Sequence, residues 1–369
     1  MSLGAFAGVP PAARRRPGLA PRGRRGDGRA IGRAGRLALC LLLGLGCDGG
    51  GDADAGLDGS VPAADGGRDD AGGRDAARPQ DARATDATLG DAGALPDPLD
   101  GAGAVALVRD GFTFLEGPHW RAADGVLLFT DIPESTIHRL APPDAIDVFR
   151  MPSGEANGLA TLPDGRLLAA EHANRRVSVT AADGTVSGLA TTFEGGRLNS
   201  PNDLAVRSDG TVYFTDPPYG LGGTPPDLDF HGVFRVDPAG ALHDEWRGSS
   251  AQRPNGIGLS PDERVLYVAD TADGLVRAFD VAADGSTSGE RPFATGTPNA
   301  DGMAVDRDGN LFVTTADGVA VLAPDGSRWG TITVPEVPAN CAFGDADRRT
   351  LYVTARTGLY AVRLPIPGR

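Results

Sequence analysis

Lysine is absent from this chain, all 35 basic residues being arginine, so neither a Schiff base nor a lysine nucleophile is available to it. Cysteine is scarce: Cys40, Cys47 and Cys341 are the three among 369 residues, too few for a disulfide framework. The histidines are not paired at ligand spacing, which removes a structural zinc site of the Cys/His kind. The formal charge of -14 leaves no basic surface to spare for nucleic acid as a partner. A membrane-spanning run is missing too. The apolar stretch Leu37-Ala38-Leu39-Cys40-Leu41-Leu42-Leu43-Gly44-Leu45 is too short to span a bilayer and follows an arginine-rich segment, the order of a secretory signal.

Composition divides the rest. Residues 1–47 read as a signal or lipoprotein-type leader in which Cys47, behind Leu43-Gly44-Leu45-Gly46, is a lipid attachment point or simply follows the cleavage region. The expected location is accordingly outside the cytoplasm: periplasmic, membrane-anchored as a lipoprotein, or secreted, with no transmembrane helix in the mature form. Residues 48–101 are Gly, Ala and Asp with almost no large apolar side chain, so ordering entropy is not offset and a disordered acidic linker is expected. Residues 102–369 remain as one domain with enough apolar residues for a substantial core.

That domain repeats. Six times a polar residue stands in a tight loop and a short apolar run follows about ten residues later. The polar residues are Glu116, Asn157, Asn202, Asn255, Asp301 and Asn340. The paired runs begin at Leu127, Leu167, Val212, Leu266, Leu311 and Leu351. Between loop and run lies an Asp-Gly or Asp-Glu pair, as at Asp164-Gly165, Asp209-Gly210, Asp262-Glu263 and Asp308-Gly309, a hairpin signal between apolar segments. Further strands such as Val233-Phe234-Arg235-Val236 complete four per unit. Four antiparallel strands repeated radially describe an all-β, six-bladed propeller. The last unit lacks a fourth strand, and Val105-Ala106-Leu107-Val108 at the start of the domain is placed to supply it and close the ring. A sandwich does not explain six equal units.

If each polar loop leads into an innermost strand, all six gather on one rim of the central channel. The loops after the second strands return to that rim, bringing Asp131, Glu171-His172, Asp216-Pro217-Pro218-Tyr219 and Asp270-Thr271 to the same mouth. Glu116, Asn202, Asn255 and Asp301 then offer two carboxylates and two amides, an all-oxygen set suited to a hard cation, Ca²⁺ before Mg²⁺. The competing reading is that Asn and Asp before Gly are turn formers. It is weakest for Glu116, since Glu has no comparable role in turns.

The motifs Leu115-Glu116-Gly117-Pro118, Glu171-His172-Ala173-Asn174, Leu198-Asn199-Ser200-Pro201-Asn202-Asp203, Phe214-Thr215-Asp216-Pro217-Pro218-Tyr219, Pro254-Asn255-Gly256-Ile257, Asp301-Gly302-Met303 and Asn340-Cys341-Ala342-Phe343 together resemble the gluconolactonase (SMP-30, regucalcin) family. The resemblance runs over roughly residues 105–365. It implies a six-bladed propeller holding one divalent metal, usually Ca²⁺, with Mg²⁺, Mn²⁺ or Zn²⁺ as other occupants, and hydrolysis of a sugar lactone. It further implies Glu116, Asn255 and Asp301 as metal ligands, Asn202 beside metal or substrate, and Asp301 as general base. The chemistry is coherent: a cation polarises the lactone carbonyl while a carboxylate takes the proton of attacking water. Cation binding would, however, weaken Asp301 as a base. His172, Tyr219 and Arg197 are candidate substrate contacts. Each also has a structural reading, as a loop histidine, a packed aromatic and a surface arginine. Two further functions stay open at this stage: hydrolysis of another lactone or an organophosphate ester, and a tethered propeller that binds a ligand without turnover. The metal-type residues argue against a metal-free, strictosidine-synthase-like condensation.

Overall fold

Short apolar runs broken by Asp-Gly pairs leave the backbone one economical way to satisfy its hydrogen bonds, the antiparallel hairpin. At Asp164-Gly165 the Asp carboxylate accepts the Arg166 N–H at 3.1 Å, and Gly165 takes the left-handed φ of +88° that closes the turn. The same Asp-to-backbone bond recurs at Asp183, Asp209, Asp284 and Asp325. The computed structural model describes residues 95–369. The expected leader over 1–47, Cys47 and nearly all of the expected linker lie outside the described residues.

Six four-stranded antiparallel sheets follow one another. The first blade comprises Leu115–Arg121, Val126–Asp131, Thr136–Ala141 and Ala145–Arg150, and the second Ala156–Thr161, Leu167–Glu171, Arg176–Thr180 and Val186–Ala190. The third runs through Leu204–Val206, Val212–Asp216, His231–Val236 and Leu242–Gly248, and the fourth through Pro254–Leu259, Val265–Asp270, Leu275–Val281 and Thr287–Thr295. Met303–Val305, Leu311–Thr315, Gly318–Leu322 and Arg328–Ile332 make the fifth. The sixth joins Asn340–Gly344, Thr350–Ala355 and Gly358–Arg363 to Ala106–Arg109, which pairs antiparallel with Gly358–Arg363. The chain is thus a six-bladed β-propeller sealed by its early strand, as its sequence leads one to expect. No α-helix occurs among the described residues; a single 3-10 turn spans Tyr219–Leu221.

The first strand of each blade is the innermost, and each touches the innermost strands on both sides, so the six form a closed ring. Second strands are buried on both faces, because blades stack face to face, which is why they read as unbroken apolar runs. Outermost strands such as Ala145–Arg150 are largely exposed. Leu99 already packs against the last blade, and Gly103 N–H donates to Arg363 O, so ordered contacts begin before the closing strand.

Between the second and third blades the core is aromatic. Phe234 is fully buried, stacked on Phe214 with ring centroids 5.3 Å apart and meeting Phe193 edge-on at 5.2 Å. Such a site cannot collapse around a lost ring, so Phe234→Ala should cost about 3–5 kcal/mol, read as a shift in denaturation midpoint with the slope unchanged. A loss below about 1 kcal/mol would mean that the ring is not part of a tight core.

Candidate active site at the channel mouth

The recurrent Asn-Gly and Asp-Gly pairs at the polar positions are not turns. Gly256 and Gly302 have no left-handed φ. They are glycine for space: a Cβ on Gly256 would overlap the Asp301 carbonyl oxygen of the next blade, and one on Gly302 would overlap the Asn340 side chain. Gly158 abuts Asp203 in the same way, and Gly117 abuts Asn157 while also taking a left-handed φ of +51°. Second-strand threonines stitch the neighbours together. Thr130, Thr215 and Thr314 donate their hydroxyls to the carbonyls of Asn157, Asn255 and Ala339, at 3.1, 2.6 and 2.7 Å. Each polar residue is thereby held by the preceding blade as well as its own.

The acids that end the second strands do lie by the incoming loops, and most of their oxygens are committed to the backbone. Asp131 accepts the N–H groups of Thr113 and Phe114, Asp216 that of Asn199 and Asp270 that of Arg253. Each clamps the backbone two or three residues ahead of a polar position. Glu171 is fully buried and saturated by Arg150, Arg176, Ser178 and Asn174. These acids build the rim, and of their oxygens only Asp216 Oδ1 is buried without a partner among the described residues.

Glu116 and Asp301 are different. Glu116 is 4% exposed, and neither it, Asp301 nor the neighbouring Asp203 has an ion-pair partner among the described residues. Burial pushes the Glu116 carboxyl up to about 7, against the Gly117 N–H that donates to it at 2.9 Å; the nearby Asp203 charge adds to the rise. Burial likewise lifts Asp203 to about 6. Asp301 is held well above the ordinary carboxylate range by burial first, then by the charges of Glu116 and Asp203, while the Asn255 amide works the other way. So the structure brings Glu116, Asn255 and Asp301 together around uncompensated negative charge. No group of three or more His, Cys, Asp or Glu forms a ready cage among the described residues. The donors are mixed acids and amides, and that composition fits a hard cation with coordination sites left over.

The loop that carries Tyr219 packs on His172: a Cβ on Gly220 would press on the His172 side chain. The His172 Nε2 and the Tyr219 hydroxyl are buried without partners. Burial pulls His172 down to about 4, so its ring is neutral at pH 7 and a weak base. The Tyr219 hydroxyl lies near Thr271 and the Asp301 charge. Asn202 is buried and fixed by its N–H to Thr215 O at 2.8 Å. Arg197 stands apart, exposed on the Gly196–Arg197 strand with its guanidinium on Asn174 O. Arg175 is spent on the carbonyls of Leu198 and Asn199. Cys341 is a buried thiol, its Sγ 3.5 Å from Phe312 O.

Asp203 was given no role from the sequence, and Asn340 only that of a turn residue or a group behind the site. Asp203 sits where Gly117, Gly158, Gly256 and Gly302 stand in other blades, and that departure from the repeat was the available signal. Asn340 accepts the Cys341 N–H at its Oδ1, 2.8 Å away, so its NH2 is the end turned toward Glu116 and Asp203.

A family model described as the SMP-30/Gluconolactonase/LRE-like region matches residues 114–357. The chain belongs to this family. It is similar to the gluconolactonase of Zymomonas mobilis, 33% identical over 298 residues covering 72% of this chain and 82% of the relative. It is similar also to the pentonolactonase of Haloferax volcanii, 28% identical over 66% of this chain and 81% of the other. In structure it resembles a gluconolactonase from Xanthomonas campestris at TM-score 0.68 and 34% identity, over 73% of this chain and 92% of that one.

For this SMP-30/gluconolactonase-like chain the interblade glycines set a stability test. Gly256→Ala should cost about 3 kcal/mol or more, because the obstructing atom is backbone. Gly165→Ala, with nothing within 4 Å but a φ of +88°, should cost about 1 kcal/mol. Equal losses in denaturant melts would refute the close-approach account.

Proposed function

We propose that the chain is a divalent-metal-dependent lactone hydrolase acting on a sugar lactone. Family membership and the gluconolactonase and pentonolactonase names of its relatives support the reaction class. One structural observation carries the metal: the buried Glu116 and the half-buried Asp301 share a mouth with the Asn255 amide, and among the described residues no cationic side chain pairs with either. Glu116, Asn255 and Asp301 would hold the cation, Ca²⁺ by the hardness and mixed charge of the donors. When bound, it supplies Lewis-acid polarisation of the substrate carbonyl. Asn202 lies at the same rim to orient the lactone, and the unpartnered His172 and Tyr219 atoms offer hydrogen bonds to its hydroxyls. Asp301 takes the proton as water attacks, its basicity raised by Glu116 and Asp203. Arg197 joins this set only as an outer contact for an acidic product.

Hydrolysis of glucono-δ-lactone, followed by pH-stat on protein stripped with chelator and titrated with Ca²⁺, Mg²⁺, Mn²⁺ and Zn²⁺, tests the proposal. Turnover should return with metal and fall by about a hundredfold or more in Asp301→Ala. A folded, metal-binding protein without turnover above background would move the substrate to another lactone or an organophosphate ester.

Stability should report the same site. Glu116 and Asp203 have folded pKa values of about 7 and about 6, above their unfolded values. Between about pH 4 and pH 7 these two groups therefore bind more protons in the folded, metal-free protein than in the unfolded chain, and their contribution to stability falls as pH rises through that window, while the buried neutral His119 and His172 contribute in the opposite sense. A divalent cation replaces those protons, so saturating Ca²⁺ should raise the melting temperature more at pH 7.5 than at pH 5. An equal shift at both values would place the cation elsewhere.

A further inference from the structure

We propose that Thr271 is a positioning residue that holds the Asn255 amide and the Ala300-Asp301 backbone in one frame, with the Asn255 oxygen turned toward the cation site. The proposal rests on the metal reading above. A threonine hydroxyl has a single proton. Here it is donated to the Ala300 carbonyl at 2.8 Å, an atom that can only accept. The same hydroxyl oxygen lies 2.9 Å from the Asn255 amide nitrogen. With its proton already committed, Thr271 can only accept there, so the NH2 of Asn255 must face it and the Oδ1 must face away. A side-chain amide is nearly symmetric in shape, and nothing in its packing alone distinguishes oxygen from nitrogen. Turned over, Asn255 would present an NH2 where a cation needs an oxygen donor.

Thr271 also fixes distance. Asn255 belongs to the fourth blade and Asp301 enters the fifth, and the Thr271 hydroxyl bridges the side chain of the one to the residue before the other. The position is not required by the propeller. In the same register, directly after the second strand, the other blades carry Ile132, His172, Pro217, Ala316 and Arg356. A hydroxyl stands only beside Asn255, which separates this contact from the architectural Thr130, Thr215 and Thr314 bonds.

The test is Ca²⁺ binding by calorimetry to chelator-stripped protein, with lactone kinetics alongside, for wild type, Thr271→Val and Thr271→Ser. Val keeps the shape and removes both hydrogen bonds; Ser keeps the hydroxyl and loses a methyl. Thr271→Val should weaken Ca²⁺ binding at least tenfold, with kcat at saturating Ca²⁺ much less affected than the Ca²⁺ concentration needed for half-activity. Thr271→Ser should bind within about twofold of wild type. Val binding as tightly as wild type would overturn the proposal while leaving the metal reading intact. A Ser variant as weak as Val, or a Val variant that fails to fold beside a Ser variant of weakened affinity, would show the methyl rather than the hydroxyl to matter and would overturn it too. If wild type takes up no divalent ion, the metal reading falls first and Thr271 loses its role with it.

Discussion

Everything at the channel mouth depends on how closely neighbouring innermost strands approach. At Gly256 and Gly302 the next blade's backbone and side chain occupy the volume of a Cβ. At Gly158 the N–H itself donates across the boundary, to Asn202 O at 2.8 Å. Contacts this short make the ring of inner strands one hydrogen-bonded object rather than six sheets leaning together. A side chain carried on such a ring inherits its rigidity, and rigid placement of a few polar groups is what a selective cation or substrate site requires. The second-strand threonines and the Asp131, Asp216 and Asp270 clamps serve the same end, since each fixes backbone just ahead of, or across from, a polar residue.

Charge is distributed with the same purpose. Away from the mouth several buried acids are answered by arginine: Glu171 by Arg150 and Arg176, Asp270 by Arg277, Glu245 by Arg235. Desolvation makes an unpaired buried charge costly, and these pairs avoid that cost. Glu116, Asp203 and Asp301 have no such partner among the described residues. They lie together at the mouth with amides and backbone N–H groups for company but no guanidinium. In a chain with 35 arginines, the absence of any at this spot is a property of the site. Stability is given up there, as it commonly is where binding is needed.

Much of this was legible in the sequence. The sixfold return of a polar residue and an apolar run led to the propeller, and the unpaired last unit led to closure by the strand at Ala106–Arg109. Glu116 was readable because Glu is a poor turn residue. What could not be read was the reason for the glycines: in one dimension Asn-Gly signals a turn, and only the neighbouring blade shows that the missing Cβ is a matter of room. Asp131, Asp216 and Asp270 were legible as mouth residues but not as clamps, since their partners are backbone N–H groups, which every residue has. Asn340 had the same difficulty, its task being to turn an NH2 toward acids more than a hundred residues away in sequence.

The remaining tension, that one aspartate should both hold a cation and accept a proton, eases once Asp203 is counted. A cation lowers the proton affinity of a carboxylate bound to it, and a lone Asp would become a poor base. Asp301 starts from a raised value, because it is desolvated and because two like charges face it. Of these, Glu116 would turn to a bound cation, but Asp203 is tied to the backbone N–H of Leu204 at 2.9 Å and to the amide of Asn340. Its charge would persist behind the site with a cation bound, so that the two fields on Asp301 would oppose each other. A carboxylate balanced in this way stays ionised enough to bind and basic enough to take a proton from water near neutral pH. A fifth glycine at position 203 would have matched the blades that carry Gly117, Gly158, Gly256 and Gly302, and the acid stands there at an electrostatic cost that this balance explains.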